Sequence, residues 1–159
     1  INAGLVGSEM CIRDRVSILC LQCCTTFDGT ALQAQYADLA ENYVSDKPYE
    51  PGTVMMFGGD AEVTECRGFI NPKVAGVVST NPAYLMNSTT DGVAIALKGR
   101  IPCKVEGAVN KGDLLVSSAT PGVATALAKD SAMPNSICII GKSIEANSDS
   151  GIKLVEIAV

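Results

Sequence analysis

The segment that decides the fold is GRIPCKVEGAVNKGDLLV, residues 99–116. It contains two short apolar runs joined by a turn that carries glycine and lysine, a pattern typical of neighbouring β-strands. Its last five residues, GDLLV at 112–116, match GTVMM at 52–56, which lies 60 positions earlier. The segment therefore predicts both β-structure and an internal repeat.

The match continues along the chain in the same order. IIGKSI at 139–144 matches VAGVVS at 74–79, and GIKLVEI at 151–157 matches GVAIAL at 92–97, with offsets of 65 and 59. These matches predict two pseudo-repeats, residues 49–100 and 109–159, each with three strands. Chance similarity among β-rich segments is the alternative. Two copies are too few for a solenoid, so the predicted fold is mainly β. It is a small β-barrel or sandwich from two related three-strand units, with one N-terminal helix.

Residues 25–47 are predicted to form that helix. Leu32, Tyr36, Leu39 and Tyr43 are spaced by four, three and four residues, which places them on one face of a helix. The intervening alanines are strong helix formers. Two roles fit this stripe: packing on the body of the same subunit, or self-association of a homotrimer around a fibre axis.

The segment before this helix, residues 1–24, is interpreted as a non-native or disordered leader. LVGSEMCIRDR at 5–15 is similar to translated sequencing-adapter read-through. The alternative is a short native leader, with Arg13 and Arg15 before the apolar run 16–21. Residues 48–159 are predicted to form the β-rich domain.

Composition excludes several classes of function. The chain of 159 residues has a net charge of −5 and no basic stripe, so no nucleic-acid partner is predicted. No run approaches the roughly 20 apolar residues that span a bilayer, so no membrane insertion is predicted. The chain has no histidine, which removes catalytic sites that depend on histidine as the base.

The cysteines predict neither a metal site nor a disulfide framework. Cys20, Cys23 and Cys24 form the one cluster, C-x-x-C-C, whereas a structural zinc site needs four ligands. The total of seven cysteines is odd and their spacing is irregular. No cofactor is predicted.

Two sets of side chains are candidates for chemistry. The carboxylates nearest to predicted turns are Asp60, Glu62 and Asp113, and such residues usually cap turns. The candidate nucleophiles for self-cleavage are Cys103, Ser117 and Thr120. We assign no catalytic, cofactor-binding or metal-binding residue, and the chain is predicted not to be an enzyme.

Three blocks of sequence resemble a known module. QYADLAENYVSDKPYEPGTVMMFGG (35–59), VAGVVSTNPAYLMN (74–87) and GRIPCKVEGAVNKGDLLV (99–116) are similar to a C-terminal module of phage tail-fibre and other virion proteins. This module is common among T4-like phages of marine cyanobacteria. The resemblance covers roughly residues 25–159.

The resemblance implies a non-catalytic structural and assembly domain in the virion tail, made in the host cytoplasm, as a fibre tip or connector. It implies a homotrimer, which we assign to the four-residue stripe, and contacts with other virion proteins or a host receptor. One alternative is an autoproteolytic intramolecular chaperone domain. Another is a receptor- or glycan-binding module, for which the chain offers few aromatic residues: Phe27, Phe57, Phe69 and four tyrosines.

Overall fold

The computed structural model describes residues 38–159, which form ten β-strands and one 3-10 helix. The elements, in chain order, are β1 (Asp38–Tyr43), β2 (Val54–Phe57), β3 (Val63–Glu65), β4 (Val74–Val78), β5 (Tyr84–Met86), β6 (Val93–Glu106), β7 (Leu114–Ser117), β8 (Ala124–Ala126), the helix Ser136–Cys138, β9 (Ile139–Ser143) and β10 (Lys153–Ala158). The predicted mainly β fold is confirmed. No helix within residues 38–159 is long and apolar enough to cross a membrane.

The 14-residue strand β6 belongs to two sheets. Its first half pairs with β1 and β4, and its second half pairs with β10 and β8. We call residues 38–99 lobe 1 and residues 100–159 lobe 2.

Lobe 2 contains a closed five-stranded barrel. Its strands pair in the order β6–β8–β7–β9–β10, and β10 pairs again with β6. Closure matters because it removes the free edges that an open sheet exposes to other chains. The predicted barrel is therefore present in this half of the domain.

Lobe 1 repeats this arrangement with the order β1–β6–β4–β2–β3. An isolated parallel bridge between Ser45 and Val63 joins β3 back to the end of β1. It corresponds to the parallel pairing of Val105 with Ala124 in lobe 2. Each unit thus has five strands rather than the three expected from the sequence, and β5 is an addition that pairs in parallel with β1.

The hydrogen-bond ladders of the two lobes also match in detail. The register shift in the β2–β4 ladder falls between Met55 and Met56, and that in the β7–β9 ladder falls at positions 115 and 116. The Gly52 N–H donates to the Val78 carbonyl at 2.9 Å, and the Gly112 N–H donates to the Ser143 carbonyl at 2.8 Å. Residues 60 positions apart therefore occupy the same place in two similar units.

A pair of glycines allows the same close backbone approach in both lobes. A Cβ on Gly76 would lie 2.8 Å from the Ala96 carbonyl oxygen, and a Cβ on Gly141 would contact the Ala158 carbonyl oxygen. Gly76 and Gly141 differ by the 65 positions found for this part of the repeat. Both sites exclude a side chain for the same steric reason.

The third sequence match is out of register by three residues. Val78 pairs with Ile95, and its counterpart Ser143 pairs with Ile157, so the offset between β6 and β10 is 62 rather than 59. The expected offset of 59 matches Ile95 with Leu154, which is 57% exposed, whereas Ile95 and Ile157 are both fully buried. In both segments a glycine is followed by alternating apolar residues, so the sequence pattern fits the wrong register as well as the correct one.

Two clusters of buried side chains hold the described residues together. Met55, Val63 and Ile95 belong to a cluster within lobe 1. A larger cluster contains residues of both lobes: Val54, Cys66, Val77, Ala96, Ile101, Cys103, Val105, Val109, Leu115, Ala124, Ile140, Val155 and Ile157. The contact between the lobes is therefore part of the core. Burial of each large aliphatic side chain in it stabilises the folded state by about 1.5–3 kcal/mol.

The predicted helix over residues 25–47 is wrong where it can be compared, because residues 38–43 form strand β1. The remainder of that prediction, residues 25–37, and the predicted leader, residues 1–24, lie outside the described residues. In β1, Leu39 pairs with Lys98, and Tyr43 pairs with Val93. Leu39 and Tyr43, the two described residues of the stripe, are four positions apart, and this even spacing fits one face of a strand as well as one face of a helix.

Candidate interaction surfaces

Backbone hydrogen bonds contribute to the contact between the lobes. The Val54 N–H donates to the Gly122 carbonyl and the Gly122 N–H donates to the Cys66 carbonyl, each at 2.9 Å; within lobe 1, the Cys66 N–H donates to the Val54 carbonyl, also at 2.9 Å. Gly122 has φ +70°, and a Cβ there would lie 2.9 Å from Thr53 Cγ2. The turn between β7 and β8 can therefore insert into lobe 1 because residue 122 is glycine.

A second set of contacts surrounds Gly52. The Lys104 N–H donates to the Gly52 carbonyl at 2.8 Å. Lys104 Nζ also donates to Glu50 Oε2 at 3.0 Å and to Thr53 Oγ1 at 3.1 Å. The side chain of Leu154 covers Gly52, since Leu154 Cδ2 would lie 2.8 Å from a Cβ at that position. This contact adds one ion pair and one apolar side chain to the backbone bonds.

These contacts cover one face of lobe 1. We define the covered face as five positions that are all buried: Gly52, Thr53, Val54, Val77 and Ala96. Their counterparts in lobe 2 form what we call the open face, and none of these is fully buried: Gly112, Asp113, Leu114, Lys142 and Ala158. The same face of the repeated unit is therefore packed in one lobe and accessible in the other.

A pocket of about 200 Å³ lies at the open face. Leu114, Leu127 and Lys129 line it, together with Met133, which is 69% exposed. Apolar side chains dominate the lining, which also includes Lys129 and Asp113, so the pocket is suited to a protein segment that carries apolar groups and an acidic group that can pair with the lysine.

A second cavity, of about 280 Å³, lies beside strands β4, β6 and β9. Its lining includes Val74, Leu97, Ile137 and Val159, and no charged side chain of the described residues contributes to it. Ile137 is 56% exposed. The lining of the cavity also includes Ser136, so the cavity offers mainly apolar contact.

The three candidate carboxylates are not brought together. Asp60 is exposed in the turn between β2 and β3, and the neighbouring Glu62 accepts from the Val44 N–H through Oε2 at 2.8 Å. Asp113 lies in lobe 2, where its Oδ2 accepts from the Asn110 N–H at 2.8 Å. Glu62 and Asp113 therefore bond to the backbone.

The candidate nucleophiles differ in their surroundings. Cys103 is fully buried, and this burial raises the pKa of its thiol to about 12. Ser117 Oγ donates to the Gly68 carbonyl at 2.9 Å and accepts from the Asn71 N–H at 2.8 Å, so it joins lobe 2 to a loop of lobe 1. Of the three, Thr120 is the one bonded to a carboxylate.

The described thiols have no metal-binding arrangement. Cys66, Cys103 and Cys138 are free and buried, and burial also raises the pKa of Cys66. Within residues 38–159, no group of three or more cysteine or acidic side chains is placed to hold a metal ion. The cluster at residues 20–24 lies outside this range.

Two residues of the predicted trimer stripe have structural roles within lobe 1. The Tyr43 ring packs edge-on against Phe57, with ring centroids 5.6 Å apart, and its hydroxyl donates to Glu41 Oε2 at 2.8 Å. Burial and the nearby Glu41 raise the pKa of Tyr43. Leu39 is half-buried on β1. Leu32 and Tyr36 lie outside the described residues.

Sequence reasoning missed the covered and open faces, although a signal for them was present. At equivalent positions, lobe 1 has Val77 where lobe 2 has Lys142. A lysine that replaces a valine in a repeat indicates that one copy of the position is buried and the other is exposed to solvent.

The sequence matches no protein-family model and no curated protein.

Proposed function

We propose that this chain is a non-catalytic structural domain of a phage virion, a tip or connector of a tail fibre, that assembles with copies of itself. The observation that carries the self-assembly is the contact between the lobes. In this contact, the covered face of lobe 1 binds a unit with the same strand order. A unit that binds its own repeat within one chain presents a surface suited to binding between chains.

The virion assignment is supported by the resemblance of residues 35–59, 74–87 and 99–116 to fibre proteins. An assembly contact would cover two apolar side chains: Phe57, which is 45% exposed in lobe 1, and Met133, which is 69% exposed in lobe 2.

The full 159-residue chain is expected to form a homotrimer. Size-exclusion chromatography with light scattering in reducing buffer should give three times the mass of one chain. Reducing conditions prevent adventitious disulfides among the seven cysteines. A monomer at tens of micromolar would reject the self-assembly that we propose.

A second candidate function is self-cleavage at Thr120, favoured by one observation: Thr120 Oγ1 donates to Glu106 Oε2 at 2.7 Å. In this step, the hydroxyl oxygen attacks the carbonyl carbon of Ala119 while Glu106 accepts the hydroxyl proton. The proton then passes to the Thr120 nitrogen, which leaves as an amine, and an ester forms. Water would hydrolyse that ester and separate residues 1–119 from residues 120–159.

Mass spectrometry of the intact chain after prolonged incubation separates the two candidates. We expect a single, unchanged mass, because a hydrogen bond between a threonine and a carboxylate commonly serves structure. Two fragments that meet at residue 120, and that disappear in a Thr120→Ala variant, would favour self-cleavage instead.

A further inference from the structure

We propose that the open face of lobe 2 binds lobe 1 of a second copy, head to tail, and that the turn between β2 and β3 (residues 58–62) enters its pocket. This inference rests on the proposed self-assembly, and it names the two surfaces that would meet.

Two equivalent glycines have different surroundings in the two lobes. Gly52 and Gly112 have φ +83° and +87°, and they lie at the same turn of the repeat. A Cβ on Gly52 would meet Leu154 Cδ2 at 2.8 Å and the Lys104 nitrogen at 3.4 Å, whereas a Cβ on Gly112 would meet nothing within 4 Å. Gly112 thus has the same backbone conformation as Gly52, but nothing in the described part of the chain packs against it.

Backbone groups at the pocket match those that bind the inserted turn in lobe 1. The Leu127 N–H donates to the Leu114 carbonyl at 2.8 Å, which repeats the bond from Cys66 to Val54. In lobe 1, the Val54 N–H and the Cys66 carbonyl bind the inserted turn of lobe 2. Their counterparts, the Leu114 N–H and the Leu127 carbonyl, belong to residues that line the open pocket. These two groups can bond to the backbone of a turn from another chain.

The internal repeat identifies the segment that would occupy the pocket. The inserted turn in lobe 2 lies between β7 and β8, and the equivalent turn in lobe 1 lies between β2 and β3. This turn is at the surface: Asp60 is exposed, and the adjacent Val44 and Phe57 are 42% and 45% exposed. It offers the apolar and acidic groups that the open pocket is suited to bind.

Charge complementarity favours the same pairing. Lobe 1 contains eight acidic and four basic residues, whereas lobe 2 contains six of each. Three lysines lie on or next to the open face: Lys111, Lys129 and Lys142. The acidic residues there are Asp113 and Asp130. The side chain of Asp113 is bonded to Asn110. These lysines would attract the acidic turn of a second copy and orient it toward the open face.

The test blocks the open face without disturbing the fold. In a Gly112→Asn variant, asparagine tolerates positive φ, and its side chain fills the space that the partner needs. Gly68→Asn is the matched control, because Gly68 has φ +88° and also has nothing within 4 Å of a Cβ. We expect Gly112→Asn to raise the concentration for half-maximal assembly at least about tenfold, and Gly68→Asn to change it by less than about twofold. Light scattering over a concentration series measures both.

Mixing two variants tests the head-to-tail geometry. Asp60→Lys alters the exposed turn but leaves the open face intact, whereas Gly112→Asn does the reverse. Each variant alone should assemble weakly, but a mixture should form a 1:1 complex, because a heterologous contact has two different halves. Circular dichroism confirms that both variants are folded.

If the wild-type chain assembles and Gly112→Asn assembles equally well, this inference is overturned while the proposed function stands. The inference is also overturned if both variants are weak alone and their mixture forms no complex. A wild-type chain that stays monomeric would instead reject the proposed function together with the contact described here.

Discussion

Replacement of Gly76 by alanine is expected to lower the free energy of unfolding by about 2–5 kcal/mol. Gly76 has φ +149°, where an L-residue is strained, and a new Cβ would lie 2.7 Å from Ile95 Cγ2 and 2.8 Å from the Ala96 carbonyl oxygen. The carbonyl belongs to β6 at the centre of lobe 1 and cannot move without disturbing the β4–β6 ladder. Urea denaturation followed by circular dichroism measures the change.

Gly58→Ala is the control for this measurement. Gly58 also has positive φ, +125°, but a Cβ there would meet nothing within 4 Å. Its replacement should therefore show only the backbone strain, about 1–2 kcal/mol. Equal losses in the two variants would contradict the claim that close approach of the backbones makes Gly76 necessary.

Replacement of Ile157 by alanine is expected to lower the free energy of unfolding by about 2–5 kcal/mol, because its fully buried side chain would leave a cavity in the core. We expect the loss to reach lobe 1 as well. Ile157 lies on β10, which pairs with the second half of β6, and β6 continues into the sheet of lobe 1.

Tyrosine fluorescence makes this coupling measurable. Three of the four tyrosines, Tyr43, Tyr49 and Tyr84, are in lobe 1, the fourth is Tyr36, lobe 2 has no tyrosine, and the chain has no tryptophan. In Ile157→Ala, the urea midpoints from tyrosine fluorescence and from circular dichroism should fall together. Ile95→Ala, at the equivalent position in lobe 1, is the comparison. An unchanged fluorescence midpoint in Ile157→Ala would show that the lobes unfold independently.

Glycine positions explain why much of the β-structure could be predicted from the sequence. Gly52 and Gly112 precede strands that occupy equivalent places in the two lobes, and Gly76 and Gly141 lie within equivalent strands. Each is required by positive φ or by close approach of another strand, so each leaves a fixed mark in the sequence. In the third match, Gly92 lies against the Tyr43 carbonyl, whereas Gly151 has only the Asp149 side chain nearby, so the two glycines are not equivalent and the match is out of register.

The strand β1 could not be predicted because its evidence is tertiary. DLAENY at 38–43 has the composition of a helix, but its backbone pairs with β6 on one side and with β5 on the other. Pairing with two strands outweighs the small differences in intrinsic propensity, which are below about 1 kcal/mol per residue. β5 was missed for a related reason, because three residues are too few to show an alternating pattern.

The candidate surface was even less accessible to sequence reasoning. The composition and the absence of histidine argue against many kinds of active site. Neither shows which face of the repeated unit is packed against the rest of the protein. That information depends on how Gly122 of one unit meets Val54 of the other, more than 60 positions away in the chain. The offset of 65 found in the sequence already aligns Val77 with Lys142, but it does not show what covers Val77.

The shared strand β6 has a mechanical consequence. The 14 consecutive residues of β6 continue from lobe 1 into lobe 2. A tensile load between the lobes is therefore carried by the covalent backbone of β6 before any hydrogen bond breaks. The connection also contains no pliable linker about which the units could swing. A particle component built in this way would transmit a pull along its length and would extend only by losing its tertiary structure.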